Sequence, residues 1–452
     1  MPRLRDPIHG FIELSEMELE IVDSVPFQRL RNIKQLATTY LVYHGAEHTR
    51  FGHSLGVMHL VSRAFRSAIE NFKRDNPETQ LFNDTDEKWY EQILRLIALT
   101  HDLGHAPFSH GSEALFGEGL EHEIFTKRII CETEIADIIL KIGERFCEEH
   151  SVSKNDYLIT PQLLWSIYGE KNPENNKQYL NRIADFKFLK TFMDSELDCD
   201  KMDYLLRDSY YCGVNYGKYD LNRVIESLTV YFNPIQNIKQ LALQKDGVHA
   251  FEEFVIARYF MFIQVYFHKT RRYLDKLLVD CIKEILIDDK YPAKLDEYLS
   301  LDDDMIIERL SAKKCVSDNS KRFLEREVMS CVYETHTHAN LNANSDTQKL
   351  FKAIKRELKK RIPDCTIYED EASKLAHKIP VLERFDADSG KGIPIISPFL
   401  DKPTSIADES FLLSKLVSPI NIKRIYVDRK HASKAKDIVR GYLSEEGEDD
   451  EE

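Results

Sequence analysis

Apolar residues recur at helical spacing through most of the chain. Ser15 stands three residues before Glu18, the spacing of a capping box, and predicts a short helix through Val22. Pro26 then opens a second amphipathic segment, Phe27 to Leu36. From Ser54 onward Val57, Leu60 and Ala64 share one face, and extending that face back one turn reaches His53, which therefore points inward. The polar stretch Asp75 to Glu87 leads into another helix, where Ile93, Leu94, Ile97 and Ala98 deliver His101 on the same face before Gly104 and Pro107 break it. Further helices are expected over Pro161 to Tyr168, Leu180 to Ser195, Lys201 to Tyr211, Leu221 to Leu228 and Phe251 to Ile287, with polar loops such as Glu170 to Lys177 between them.

After the Asn-rich loop His338 to Asp346 the texture changes. A basic helix is expected over Gln348 to Ile362, then short β-prone runs at Ile395-Ile396 and Ile420 to Val427. The pattern predicts a mainly α chain: a helical body over residues 1–340, a smaller α+β lobe over 348–443 and a disordered acidic tail over 444–452. No internal repeat, coiled-coil heptad or Gly-rich phosphate loop interrupts it.

Composition narrows the partners. With 452 residues, 42% hydrophobic and 31% charged, the chain can bury a large core and is not of the disordered class. No apolar run is long enough to span a bilayer, and Met1 to Asp6 lacks the apolar stretch of a signal peptide, so no membrane partner is expected. The eight cysteines are scattered without a Cys-x-x-Cys pair, which suggests neither a zinc knuckle nor a disulfide framework and fits a reducing cytoplasm. Net charge is -14, but seven acidic residues lie in the last eight positions, leaving the body at about -7. That balance disfavours nucleic acid and points to small molecules.

The chemistry is concentrated early, where eight of the sixteen histidines fall between His44 and His122. Single histidines are usually satisfied core or surface residues, and His44, His48 and His59 read that way. His101 and Asp102 differ: they stand together at the end of an apolar helix, where a carboxylate is costly unless paired or bound to a cation. One more imidazole from His53 and one more carboxylate from Asp200 would complete a nitrogen and oxygen site suited to Mn, Fe, Zn or Ni. The run Asp198 to Asp208 adds acids and bases at helical spacing, although a solvated amphipathic face would look similar.

These residues resemble the HD-domain metal-dependent phosphohydrolases. The segments Asp6-Pro7-Ile8-His9-Gly10, Phe27-Gln28-Arg29-Leu30-Arg31, Arg50 to Val57, His101-Asp102-Leu103-Gly104-His105 and Asp200-Lys201-Met202-Asp203-Tyr204 occur in the order found in the deoxynucleoside triphosphate triphosphohydrolases. Similarity is greatest to the animal branch that joins this domain to a sterile-alpha-motif domain, and to its bacterial relatives. It runs from about residue 3 to 275, returns weakly near Ile422 to Tyr442, and carries no alignable motif between about 285 and 415.

The resemblance implies an HD helical bundle in which His53, His101, Asp102 and Asp200 are the metal ligands, with Asp102, His105 and His122 catalytic. It implies phosphate binding by Arg50, His110, Lys201 and Arg258, and a deoxyribose pocket from Gln35, Leu36, Tyr204, Asp208 and Tyr266. Asp23, Gln28 and Arg31 match a guanine-reading regulatory site, and Arg223, His268 and Lys269 match a neighbouring one, so GTP or a dNTP is the implied activator and a dimer, tetramer or hexamer of like chains the implied assembly. The implied reaction is metal-assisted hydrolysis of a dNTP, arriving with Mg, to deoxynucleoside and inorganic triphosphate. It would lower dNTP pools or starve an invading phage. Another HD phosphohydrolase, acting on nucleoside monophosphates or signalling nucleotides, and a catalytically silent nucleotide sensor are the alternative readings.

Overall fold

The computed structural model describes residues 2–169, 177–338, 345–379, 386, 388 and 392–449. A hairpin of β1 (Arg3–Asp6) and β2 (Gly10–Glu13) opens the chain, its turn closed by Gly10 at φ +78° and by the Asp6 carboxylate, which accepts from the Ile8 and His9 N–H groups at 2.8 and 3.0 Å. Helix α1 (Glu16–Asp23) carries the expected capping box. Its Glu18 is buried and receives Arg95 through two N–H bonds of 2.7 Å. The expected helix over Phe27 to Leu36 is instead α2 (Val25–Gln28), a 3-10 turn over Arg29–Asn32 and extended backbone at Ile33. Lys34 pairs with Thr49 there, so this segment spends its hydrogen bonds on a bridge rather than on a helix.

Two long helices form the centre: α3 (Arg50–Asp75) starts one turn before the expected position and packs along α4 (Asp84–Thr100). Behind them follow α5 (His122–Glu132), α6 (Glu134–His150), α7 (Lys154–Tyr157), α8 (Pro161–Tyr168), α9 (Ile183–Thr191), α10 (Cys199–Cys212) and α11 (Leu221–Glu226). The helix expected to run on to Leu228 stops at Glu226, and Leu228 starts an antiparallel hairpin, β3 (Leu228–Asn233) and β4 (Ile238–Gln244). The single helix expected over Phe251 to Ile287 is two, α12 (Val248–Met261) and α13 (Lys269–Lys283), separated by a π turn over Phe262–Tyr266. That turn aims the Tyr266 hydroxyl at Asp208.

Three short helices, α14 (Leu295–Leu299), α15 (Asp303–Lys313) and α16 (Asp318–Leu324), cover the body. A lobe follows, built from β5 (Ser330–Glu334), α17 (Ser345–Arg361), β6 (Ile367–Lys374), β7 (Pro394–Ile396), β8 (Thr404–Ser405), α18 (Ile406–Glu409), α19 (Phe411–Lys415), β9 (Ile420–Val427) and α20 (Ala432–Asp449). Strand β9 lies between β5 and β6, antiparallel to both, and Phe351, Ile354, Leu358, Ile425, Val427 and Val439 bury a core of their own beneath that sheet. The fold is mainly helical with a smaller α+β part.

The division expected between 340 and 348 is not where the sheets divide. Strand β5 precedes it yet belongs to the lobe's sheet, while β7 follows it and pairs in parallel with β4 of the body. Helix α20 runs on to Asp449, past the boundary expected at 443, and residues 450–452 lie outside the described residues, as does most of the Glu170 to Lys177 loop.

One buried side chain ties the late helices to the early loops. Asp303 accepts from the Phe108 N–H at 2.6 Å and the Lys34 N–H at 2.9 Å, holding a left-handed turn at Phe108 (φ +60°). Asp303→Ala leaves both donors buried without an acceptor. We expect a loss of about 2–4 kcal/mol in unfolding free energy, read from urea denaturation.

Candidate metal and phosphohydrolase centre

Four side chains from three elements converge at the heart of the body. His53 comes from the second turn of α3, His101 and Asp102 from the C-terminal end of α4, and Asp200 from the first turn of α10. His53 is fully buried, and its Nε2 lies 3.0 Å from Asp200 Oδ1 and 3.6 Å from Asp102 Oδ2; His101 Nε2 lies 3.4 Å from Asp102 Oδ1. Each ring is oriented through its other nitrogen. His53 Nδ1 donates to Asp203 at 2.8 Å, and His101 Nδ1 donates to the Ala98 carbonyl at 2.7 Å. With Nδ1 as the donor, both Nε2 atoms are buried lone pairs that face carboxylate oxygens rather than donors, His53 Nε2 against Asp200 and Asp102 and His101 Nε2 against Asp102.

A cation fits that arrangement: it satisfies two orphaned imidazoles and the carboxylates they face with one charge. Without one, burial pulls the His53 ring down but its bonds to Asp200 and Asp203 push it up to about 10, so a proton would have to stand in for the ion. Burial likewise acts to raise Asp102, while Arg50, His101 and His105 hold it well below the usual carboxylate range. His53, His101 and Asp102 bring two imidazoles and a carboxylate within reach of one ion, and Asp200 lies beside them at 3.0 Å from His53, a donor set that suits a divalent metal.

Asp203 is the support beneath this site. It is fully buried, and besides His53 it accepts from His9 Nε2 at 2.7 Å and from Arg207 at 2.8 and 3.0 Å. Arg207 reaches on to Asp6 at 2.9 Å, which anchors the N-terminal hairpin behind the ligands. The approach requires Gly56: a Cβ there would stand 1.9 Å from the Asp203 carboxylate and 2.5 Å from Arg207.

On the other side of Asp102 lies a cluster of imidazoles around Glu113. His110 Nδ1 and His122 Nδ1 lie 2.9 and 2.7 Å from Glu113 Oε1, and the His105 ring stacks on His122 at 4.1 Å. His105 Nε2 is 3.2 Å from Asp102. Burial and Arg50 push His105 well below its ordinary value, whereas for His122 burial acts downward but the hydrogen bond and charge of Glu113, with Glu123 and Asp102, together raise it. The two stacked rings are therefore pulled apart in proton affinity, His105 downward and His122 upward. Glu113 itself escapes the sequence reading; its only signal is a carboxylate three residues after His110.

Comparison with known proteins places this geometry. The HD domain pattern matches residues 50–183, and the HD associated region matches residues 219–371. YwfO of Bacillus subtilis, described as an uncharacterized protein, is 31% identical over 372 residues that cover 77% of this chain and 75% of that protein. The chain belongs to the HD-domain family. A crystal structure of a hypothetical protein from Aquifex aeolicus is similar to this chain with a TM-score of 0.72 at 31% identity, over 97% of this chain and 99% of that one. The deoxynucleoside triphosphate triphosphohydrolase SAMHD1 homolog of Dictyostelium discoideum is 27% identical across 71% of this chain, and this chain spans 57% of its length. As an HD protein the chain is a hydrolase of the metal-dependent phosphohydrolase family.

The HD metal site opens into a cavity of about 1370 Å³, whose wall includes Gln35, Leu36, Lys201, Tyr204, Asp208, Arg258 and Tyr266 together with Arg50 and His110. Asp208 is held rigid, His48 Nε2 donating at 2.8 Å and the Tyr266 hydroxyl at 2.7 Å. His48, read from sequence as an ordinary histidine, thus supports the pocket. The expected regulatory residues lie elsewhere in the HD chain: Gln28 accepts from Arg31 at 2.8 Å, Arg31 lies over Phe51, and Asp23 is exposed. Arg223 pairs with Asp246 at 2.7 Å, Lys269 is exposed, and the His268 ring meets Tyr43 edge-on. Among the described residues no helix is long and apolar enough to cross a membrane.

Because Asp203 fixes the tautomer and tilt of His53, Asp203→Asn is expected to weaken divalent-metal affinity about 10–100-fold. Competition against a chelator and metal content after dialysis measure this, with far-ultraviolet circular dichroism reporting whether the helices persist.

Proposed function

We propose that the protein is a dNTP triphosphohydrolase, and that the observation carrying this reading is one cavity that joins the metal ligands to a rigid Asp208 carboxylate. A carboxylate fixed by His48 and Tyr266 meets a ribose hydroxyl without reorganising, and Tyr204 stands 6.3 Å from the Tyr266 ring to form an aromatic wall for the sugar. Gln35 Oε1 is buried beside it without a partner, an acceptor for a nucleotide donor. A sugar packed against this wall, with no room or partner left for a 2′-hydroxyl, would be selected as deoxyribose.

His53, His101, Asp102 and Asp200 would hold the divalent metal, whether Mn, Fe, Zn or Ni, with Mg accompanying the nucleotide. Bound there, the ion would offset phosphate charge and acidify water. Water attacks the α-phosphorus, the bond to the 5′-oxygen breaks, and that oxygen needs a proton as it leaves. His122 is the donor best placed by charge: its Nδ1 is held by Glu113, which raises the ring's affinity for a proton and leaves Nε2 to give one up. Neutral His105, stacked against it, orients the ring. Regulation by GTP or a dNTP at Asp23, Gln28 and Arg31, and assembly of like chains around that nucleotide, belong to the same proposal. The surface position of Asp23 and the exposed Gln28 to Arg31 bond support it.

The deciding experiment incubates the purified protein with each dNTP and NTP plus Mg or Mn in ¹⁸O-water. The expected products are deoxynucleoside and label-bearing triphosphate from dNTPs alone. Release of pyrophosphate or orthophosphate first, or equal use of NTPs, overturns the reading.

A pH prediction follows from the split histidines. Raising of His122 by Glu113 means the proton donor is present below the raised value and is lost as pH climbs through it, so kcat falls on the alkaline side. Glu113→Gln removes the cause of the shift, and the alkaline limb moves to lower pH. His122→Ala lowers kcat about 10²–10⁴-fold with KM little changed, as steady-state kinetics would show.

A further inference from the structure

The cations assigned to phosphate by resemblance are already engaged within the protein. Arg50 gives its guanidinium to Asp102 at 2.6 Å and to the Ser109 hydroxyl at 2.9 Å. Lys201 bonds Asp198 and the Ser195 carbonyl. Arg258 donates to the Leu375 and Ala376 carbonyls. Elsewhere on the cavity wall Lys239 pairs with Asp185, Arg271 with Asp275, Arg272 with Asp370 and Lys276 with Asp280. Among the described residues, two lysines of the wall have neither an ion pair nor a hydrogen bond, Lys374 and Lys378, and both come from the lobe.

The segment that carries them is built into the body. Ala376 and His377 are 1% and 2% exposed, His377 Nε2 bonds the Leu413 carbonyl at 3.0 Å, and Ile379 joins the main core. Arg258 clasps the two carbonyls between the lysines, which leaves Lys374 and Lys378 exposed on the cavity side of that clasp. Lys374 and Arg258 share the Phe262 ring, at 5.7 and 5.2 Å from its centre. Burial, Arg258, Lys378 and Lys201 all act to lower the Lys374 ammonium, with Glu196 opposing them, so positive charge is concentrated here beyond what the protein neutralises.

We infer that Lys374 and Lys378 are the phosphate-binding cations of the cavity, taking the polyphosphate end of the substrate from the lobe side, with Arg258 as the residue that positions them. The inference rests on the proposed reading for the nucleotide and deepens it: the substrate class is a polyphosphate ester, bound between body and lobe. A free ammonium costs less to redirect to a phosphate than one already spent on a carboxylate, so these two lysines supply the attraction that Arg50 and Lys201 have used internally.

The test uses inorganic tripolyphosphate as the probe and the metal-loaded protein. Titration calorimetry compares wild type with Lys374→Ala, Lys378→Ala, the double variant and the double arginine variant, with thermal melting run on each. We expect roughly tenfold weaker tripolyphosphate binding for each single variant, a larger loss for the double, a shallower salt dependence, and recovery in the arginine variant, at unchanged melting temperature. For dNTP turnover the same series raises KM more than it lowers kcat. Tripolyphosphate binding by the double alanine variant equal to wild type overturns the inference. Should wild type hydrolyse no dNTP yet bind tripolyphosphate through these lysines, the dNTP reading falls and the phosphate site stands.

Discussion

A fully buried carboxylate with four donors on it, Asp203, is the constraint from which the rest of the centre follows. Its charge could not survive in the interior without Arg207, and its remaining lone pairs are taken by His53 and His9. Satisfying Asp203 therefore fixes where α3, α10 and the N-terminal hairpin meet. The same bond turns the free nitrogen of His53 towards Asp102 and Asp200, so the need to stabilise one buried anion creates an opening for a cation nearby.

The site separates two kinds of charge by a few ångströms. Around His53 and His101 the histidines present lone pairs; around Glu113 they present protons. Asp102 stands between, touched by Arg50 on one side and His105 on the other. An arrangement of this sort keeps a Lewis-acidic pole and a Brønsted-acidic pole from neutralising each other, which suits cleavage of a phosphoryl bond whose two ends need opposite help.

Much of this was legible from residue order. The helical face through Val57 and Leu60 located His53, the His101-Asp102 doublet announced itself, and the capping box at Ser15 and the limits of Pro161–Tyr168 and Ile420–Val427 fall where the pattern put them. What escaped depended on distant partners. Nothing local distinguishes Glu113 or Asp203 from a solvated acid, because their meaning lies in rings brought from other helices. The π turn at Phe262–Tyr266 has no Pro or Gly to mark it, and the β3–β4 hairpin hides in a run whose apolar content also suits a helix. Asp303 sits in a stretch without a motif, yet it shapes the turn before His110.

The closure of the metal centre by the N-terminal hairpin also sets an order of assembly. His9 and Asp203 are 194 positions apart, and Asp6 and Arg207 are 201 apart. The opening residues must therefore wait, during synthesis, until α10 has left the ribosome before their polar groups find partners. Until then His53 lacks the carboxylate that orients it, and an early metal ion would meet an unfinished set of ligands. Folding of the first half of the chain is thus kinetically subordinate to the arrival of one short segment, Asp198 to Asp208, which brings Asp200, Asp203 and Asp208 together.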